Sequence, residues 1–186
     1  KNIKYEIGFR YHHYELNADN YSTKSSLSSI ERDNYAWSLG VDYNLESYNN
    51  VFAHISRTYR SPRLDEIISL VSPNPAGKDI KHQYSNDIEL GYEYDDSQMR
   101  YKASVFRTLI KNQIYLNQTT FNNENFDPSV QQGLEIEFDQ SINNNLKFNS
   151  NATYIDSHFT EGIEKGNETS YVPRISGNMS LNYNID

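Results

Sequence analysis

Apolar and polar positions alternate along most of the chain with a period of two. In IKYEIGFRY, Ile3, Tyr5, Ile7, Phe9 and Tyr11 alternate with Lys4, Glu6, Gly8 and Arg10. In YAWSLGVDYNL, Tyr35, Trp37, Leu39, Val41, Tyr43 and Leu45 alternate with Ala36, Ser38, Gly40, Asp42 and Asn44. IELGYEY sets Ile88, Leu90, Tyr92 and Tyr94 against Glu89, Gly91 and Glu93, and ISGNMSLNYNI repeats the pattern from Ile175 to Ile185. Successive side chains of a strand point to opposite faces, so these segments are two-faced strands. Helical spacing is nowhere sustained. The pattern predicts eight strands, over roughly 3–16, 34–45, 51–60, 84–94, 99–116, 131–142, 146–156 and 172–185. Two of them are irregular: Phe52 joins the polar side of the third, and the phase of the fifth is lost in FRTLIKNQIYL, where a bulge would fit.

Short and long connections alternate between these strands. ESYNN (46–50), DDSQ (95–98) and NNN (143–145) have the Asn, Asp and Ser content of tight turns. Segments 17–33, 61–83, 117–130 and 157–171 are long and polar. Short turns at one end and long loops at the other are the habit of outer-membrane barrels, with periplasmic turns and extracellular loops. The faces agree. One is aromatic and aliphatic with scarcely a charge; the other carries Lys, Glu, Asp, Asn and Gly. Buried Tyr hydroxyls need partners, so a closed core is a poor home for 16 Tyr. Interfacial girdles of a barrel take them readily. The expected fold is therefore all-β: an antiparallel transmembrane β-barrel segment of about eight strands, residues 1–186 forming one unit, with outer-membrane lipid as the solvent of its apolar face.

Composition narrows the chemistry. A net charge of -8 argues against a nucleic-acid partner, since phosphate contacts need clustered Lys and Arg. Absence of Cys removes disulfides, thiolate catalysis and Cys-based metal sites. No stretch has the apolar length of a membrane-crossing helix, and the first residues, KNIKYEIGFR, do not read as a signal peptide. Of the five His, only His12 and His13 are close in sequence, and adjacent strand residues point apart. Asp95 and Asp96 read as turn residues. Asp156, Ser157 and His158 are neighbours in sequence, whereas triad members meet in space. No cofactor, catalytic residue or metal ligand is expected.

SRTYRSPRLDEI, residues 56–67, ends the third strand in a charged knot. Pro62 cannot donate to a ladder, and Arg60, Arg63, Asp65 and Glu66 suit an aqueous rim. Arg60 and Arg63 suit the oxygens of an anionic ligand; the plainer reading, preferred for both, is structural, with Arg60 pairing with a lumen carboxylate to hold the barrel wall. The stretch resembles the "FRAP" box of TonB-dependent outer-membrane receptors, with Tyr59, Arg60, Ser61, Pro62, Leu64, Glu66 and Ile67 at its positions. YSNDIELGYEY, SVFRTLIKNQI, NFDPSVQQGLEIEF (with Gly133, Leu134 and Glu135) and YVPRISGNMSLNY are similar to later segments of that family, in the family's order. The resemblance covers about residues 34–186. It implies import of a scarce metal chelate (ferric siderophore, haem or cobalamin type), in a 22-stranded barrel whose N-terminal plug carries the box that grips TonB. No such plug or box is read in this chain, and it stops at NYNID without a terminal aromatic residue, so it reads as a piece of the barrel. Arg60 at the end of the third strand, Arg63, Lys78, Lys81 and His82 in the first long loop, and Asn122 and Asn123 in the later one (beside Gln118 and Asn125), are the expected ligand contacts. His82, beside Lys78 and Lys81, is otherwise expected in a solvated loop. The alternatives are a complete small eight-stranded barrel acting as adhesin or pore, and an outer-membrane hydrolase.

Overall fold

Because backbone pairing, not apolar alternation, is what a strand requires, the strands outrun the sequence pattern at several ends. A computed structural model describes residues 2–20, 25–67, 80–119 and 121–185. In chain order the elements are β1 (Ile3–Asn20), β2 (Ser25–Glu46), β3 (Asn49–Arg60), α1 (Leu64–Ile67), β4 (Gln83–Asp95), β5 (Met99–Lys111), β6 (Ile114–Asn117), β7 (Asn122–Asn125), β8 (Ser129–Ser141), β9 (Leu146–Phe159) and β10 (Ile175–Tyr183). Eight strands form one antiparallel sheet in the order β1-β2-β3-β4-β5-β8-β9-β10, and β6-β7 is a separate small hairpin. The large sheet is open, with β1 and β10 as its edges.

Several boundaries differ from expectation, three of them for a plain local reason. Much of 17–33, expected as a loop, is strand: β1 and β2 stay paired through Asn17↔Ser29 and beyond, with a register shift at Ala18/Asp19. Pairing of β2 with β3 stops at Trp37↔Arg57, so past that point β1 and β2 run on as a two-stranded ribbon. The predicted strand 99–116 breaks at Asn112, whose φ of 55° is a left-handed conformation that Asn tolerates. The chain turns there into β6. The last strand begins at Ile175 rather than 172, just after Pro173.

Cross-strand register confirms the two faces. Phe9 pairs with Trp37, Ile7 with Leu39, Ala53 with Leu90, Val51 with Tyr92 and Phe148 with Leu181. Tyr5, Phe9, Leu39, Leu90 and Leu181 are exposed on that apolar face; Trp37 and Tyr92 share it, half-covered. On β4 the apolar run is bounded by Asn86 and Asp96. About ten residues at about 3.3 Å each, tilted by about 40°, give an apolar height of about 25 Å. That is the height of the lipid band on a transmembrane barrel.

The opposite face is polar and ion-paired. Arg100 meets Glu93 at 2.7 Å and Glu137 at 3.8 Å, Lys102 meets Glu89 at 3.7 Å, and Lys4 meets Asp42 at 4.0 Å. Phe52, the residue out of phase, has a reason to be there. Gly91 stands opposite it, and a Cβ on Gly91 would lie 2.2 Å from the Phe52 ring. The ring covers the bare glycine, and the Lys102 ammonium sits 5.1 Å from its centroid.

Among the described residues, apolar burial other than Phe52 is at the long-loop end: Ile67, Ile80, Ile114, Val130 and Phe159. Each such side chain contributes about 1.5–3 kcal/mol. The sheet positions the loops, and this small core pins them.

Candidate functional site

Residues 60–67 are organised around one carboxylate. β3 ends at Arg60, and Pro62 denies the ladder a further donor. The chain then makes the single turn α1, whose amides at Glu66 and Ile67 bond to the Arg63 carbonyl at 3.1 and 3.2 Å. Glu66, in the third position of that turn, accepts the Arg63 backbone N–H at 2.8 Å, one half of a capping box. The same carboxylate takes both prongs of the Arg60 guanidinium, at 2.9 and 2.5 Å. Glu66 is buried. Fork-to-fork pairing fixes both side chains at once, so Arg60 is held by a carboxylate of its own loop and not by one on a neighbouring wall strand. Arg63 lies outside this knot: its side chain is 71% exposed and only skirts Asp65 at 3.5 Å and Glu66 at 3.9 Å.

The two long loops containing 61–83 and 117–130 meet here. Asn123 donates to the Glu66 carbonyl at 3.2 Å. Asn125 accepts the Lys81 amide at 2.8 Å, returns a bond to the Lys81 carbonyl at 3.1 Å, and donates to the Asn112 carbonyl at 2.8 Å. Asn112 in turn donates to the His82 carbonyl at 3.2 Å. The backbone at Lys81 is therefore clamped to β7 while its side chain is left in solvent. Asn122, on the same hairpin, is half-buried. Lys78 lies outside the described residues.

His82 is not in a solvated loop. It is 3% exposed, with Nδ1 3.3 Å from Ser61 Oγ and its ring edge-on to Tyr14. His12 stacks on Tyr59 nearby. Burial, reinforced by the charges of Arg32 and His12, holds the His82 imidazole below the ordinary histidine range. It is neutral at pH 7 and serves as packing.

Among the described residues the sequence-adjacent Asp156, Ser157 and His158 do not converge. Asp156 and His158 lie 3.4 Å apart, but Ser157 projects from the other side of the strand to Thr169. Asp96 does turn chemistry: bonds from the Gln98 amide, the Tyr94 hydroxyl and the Met99 amide hold its carboxyl below the usual range. Among the described residues no group of three His, Asp or Glu is arranged to hold a metal. Asn112 and Asn125 do most of the clamping: Asn112 was not singled out by the sequence, and Asn125, expected beside the ligand contacts, holds the backbone instead; the Asn-rich stretch was the available signal.

The family described as TonB dependent receptor-like, beta-barrel matches residues 1–186. No curated protein matches the chain. Among solved structures, the ferric yersiniabactin uptake receptor FyuA from Yersinia pestis superposes with a TM-score of 0.76 at 20% identity, over 100% of this chain and 29% of that one. The ferric citrate transporter FecA gives 0.77 at 20% identity, over 98% and 28%. The copper transporter OprC gives 0.73 at 13% identity, over 98% and 30%. The chain thus spans less than a third of the receptors it resembles.

Proposed function

Since the chain belongs to the TonB-dependent receptor β-barrel family, a family of outer-membrane receptors and transporters rather than enzymes, we propose that it forms one wall of an importer of a scarce metal chelate, of ferric siderophore, haem or cobalamin type, in a Gram-negative outer membrane. In this reading the whole receptor contains a plug that engages TonB, and residues 1–186 are a single segment of the surrounding barrel. The observation that carries the proposal is the junction of the two long loops. Asn123 and Asn125 tie the β6-β7 hairpin to residues 66 and 81, which leaves the Arg63 and Lys81 side chains turned to solvent on a fixed frame. Two cations and neighbouring amides, held in place beforehand, suit the carboxylate or catecholate oxygens of a chelate. Arg63, Lys81, Asn122 and Asn123, with Lys78, are the ligand contacts on this reading; Arg60 and His82 hold the frame beneath them.

The test uses the full-length receptor on cells at matched abundance, with radiolabelled ferric citrate and a ferric catecholate as probes. Arg63→Ala combined with Lys81→Ala should weaken binding of the transported chelate about tenfold or more and leave assembly unchanged. Unchanged affinity, with binding instead abolished by deleting the β2-β3 turn at the opposite end, would place the ligand on the wrong side of the sheet for this reading.

A further inference from the structure

The apolar face ends, at its long-loop edge, in a row of side chains that includes three cations. Arg57 on β3 follows Ile55 outward, Arg107 on β5 follows Val105, and Lys111 closes the same strand. Arg57 pairs in register with Asn86, Arg107 with Ile88 and Lys111 with Tyr84, so all three stand on the face of Ile88 and Leu90. Strands lie about 4.8 Å apart and rise about 3.3 Å per residue, which puts Arg107 and Lys111 each about 12 Å from Arg57.

Three cations across the sheet are ion-paired, while among the described residues Arg10 and Lys147 there are not. Lys4, Arg100 and Lys102 each have a carboxylate partner. Among the described residues, Arg57, Arg107 and Lys111 have none within ion-pair distance. Arg57 is gripped instead by aromatic rings, its guanidinium carbon 5.1 Å from the Tyr35 centroid and 4.5 Å from that of Tyr84. Its Nε is buried with no hydrogen-bond partner. Arg107 donates to Gln132 at 3.1 Å, and the one carboxylate further along, Asp156, is taken by Gln132 and His158. Toward β1 the row turns acidic, but there Asp33 is held by Tyr11 and His13. The cationic patch is thus confined to β3–β5 and straddles the edge of an apolar band of about 25 Å: Arg57 is level with Asn86, Lys111 two residues beyond it, opposite Tyr84, and Arg107 two residues inside, opposite Ile88.

We propose that Arg57, Arg107 and Lys111 form a binding site for the phosphate groups of an anionic lipid in the outer leaflet. Guanidinium and ammonium groups suit phosphate oxygens, and cations next to the membrane surface are the usual recognition device for anionic headgroups. Rings on either side hold the Arg57 side chain in place before lipid arrives. The site rests on the reading that the apolar face meets a membrane.

The experiment uses the full-length receptor in mild detergent, titrated with phosphatidylglycerol or phosphatidylcholine and read by native mass spectrometry. Each cation contributes about fivefold in affinity, so Arg57→Gln with Arg107→Gln and Lys111→Gln should lower phosphatidylglycerol affinity about a hundredfold and leave phosphatidylcholine unchanged. Arg10→Gln, which removes one charge from the polar face, should leave both unchanged. Heat-dependent gel migration reports that the barrel is folded; if the triple variant is not, Arg107→Gln with Lys111→Gln carries the test at about twenty-five-fold. Unchanged phosphatidylglycerol affinity, or an equal fall with Arg10→Gln, would overturn the site. Release of the lipid by millimolar inorganic phosphate would show a free-anion site and overturn the lipid assignment. Failure of the wild-type receptor to fractionate with outer membranes would instead sink the membrane reading itself.

Discussion

Removing the Glu66 carboxylate should loosen residues 60–67 while leaving the barrel wall intact. Glu66 accepts two bonds from the Arg60 guanidinium and one from the Arg63 amide. Hydrogen bonds to charged groups contribute about 1.5–3 kcal/mol each, but these three do not add. The Arg60 side chain is 41% exposed, so water replaces part of what it loses, whereas Glu66 at 9% has no such recourse. We expect Glu66→Ala to cost about 3 kcal/mol. Glu66→Gln keeps an acceptor for the Arg63 amide and should cost about half that. Arg60→Lys keeps the charge but loses the fork, and should fall between them. The cost appears locally, since none of the sheet pairs involves residues 61–67. In the full-length receptor, trypsin cleavage after Arg60 and Arg63 tracks the open population when opening is fast. At about 1.4 kcal/mol per factor of ten, Glu66→Ala should raise that cleavage rate about a hundredfold without changing heat-dependent gel migration. Cleavage at the wild-type rate would refute the claim that one carboxylate holds the knot. Loss of the folded band would show the knot to be part of the wall.

Further outcomes follow from other contacts. Gly91→Ala puts a Cβ into the Phe52 ring and should destabilise by about 1–3 kcal/mol; Phe52→Ala should absorb part of that loss in a double-mutant cycle, read by urea unfolding in lipid vesicles. Leu90→Arg sets a charge at the middle of the apolar band and should cost about 2–4 kcal/mol in the same assay, whereas Glu89→Gln on the other face should cost far less. Because the folded pKa of His82 lies below its unfolded value, the unfolded chain binds the extra proton. Its contribution is complete above about pH 6.5 and declines as pH falls below that. Hydrogen exchange at residues 80–82 should therefore quicken, after correction for intrinsic rates, from pH 7.5 to 5, and a His82→Gln variant should lose that dependence.

How far the sequence was readable depends on which force shaped each part. Where a strand crosses the apolar band, one face must be apolar, and the period of two marks it; Ile88 to Tyr94 is legible for that reason. Past the rim that demand ends, yet pairing continues. Asn17, Ala18, Ser28 and Ser29 are strand without any apolar alternation to show it. Phe52 looked like a phase error because its partner is the absence of a side chain at Gly91, visible only once the register is known. At the site, the charged knot announced itself, but the Arg60–Glu66 pair is made by a turn, and six residues of separation carry no signal of it. His82 read as solvated because its neighbours Lys78 and Lys81 are charged; its cover comes from Ser61, Tyr14 and Asn112, distant in sequence.

If this sheet separates lipid from a polar lumen, the side chains of β4 meet the two solvents alternately. The chain has no native Cys, so single Cys replacements from Asn86 to Asp95, in the full-length receptor cleared of any other accessible thiol, can each carry a nitroxide label. Accessibility to oxygen and to a water-soluble nickel chelate is then measured by electron paramagnetic resonance in lipid vesicles. Both accessibilities should show a period of two, out of phase: oxygen highest at 88, 90 and 92, nickel chelate highest at 87, 89 and 91. Labels at 88, 90 and 92 shielded from both reagents would mean a closed protein core behind that face, and would contradict it.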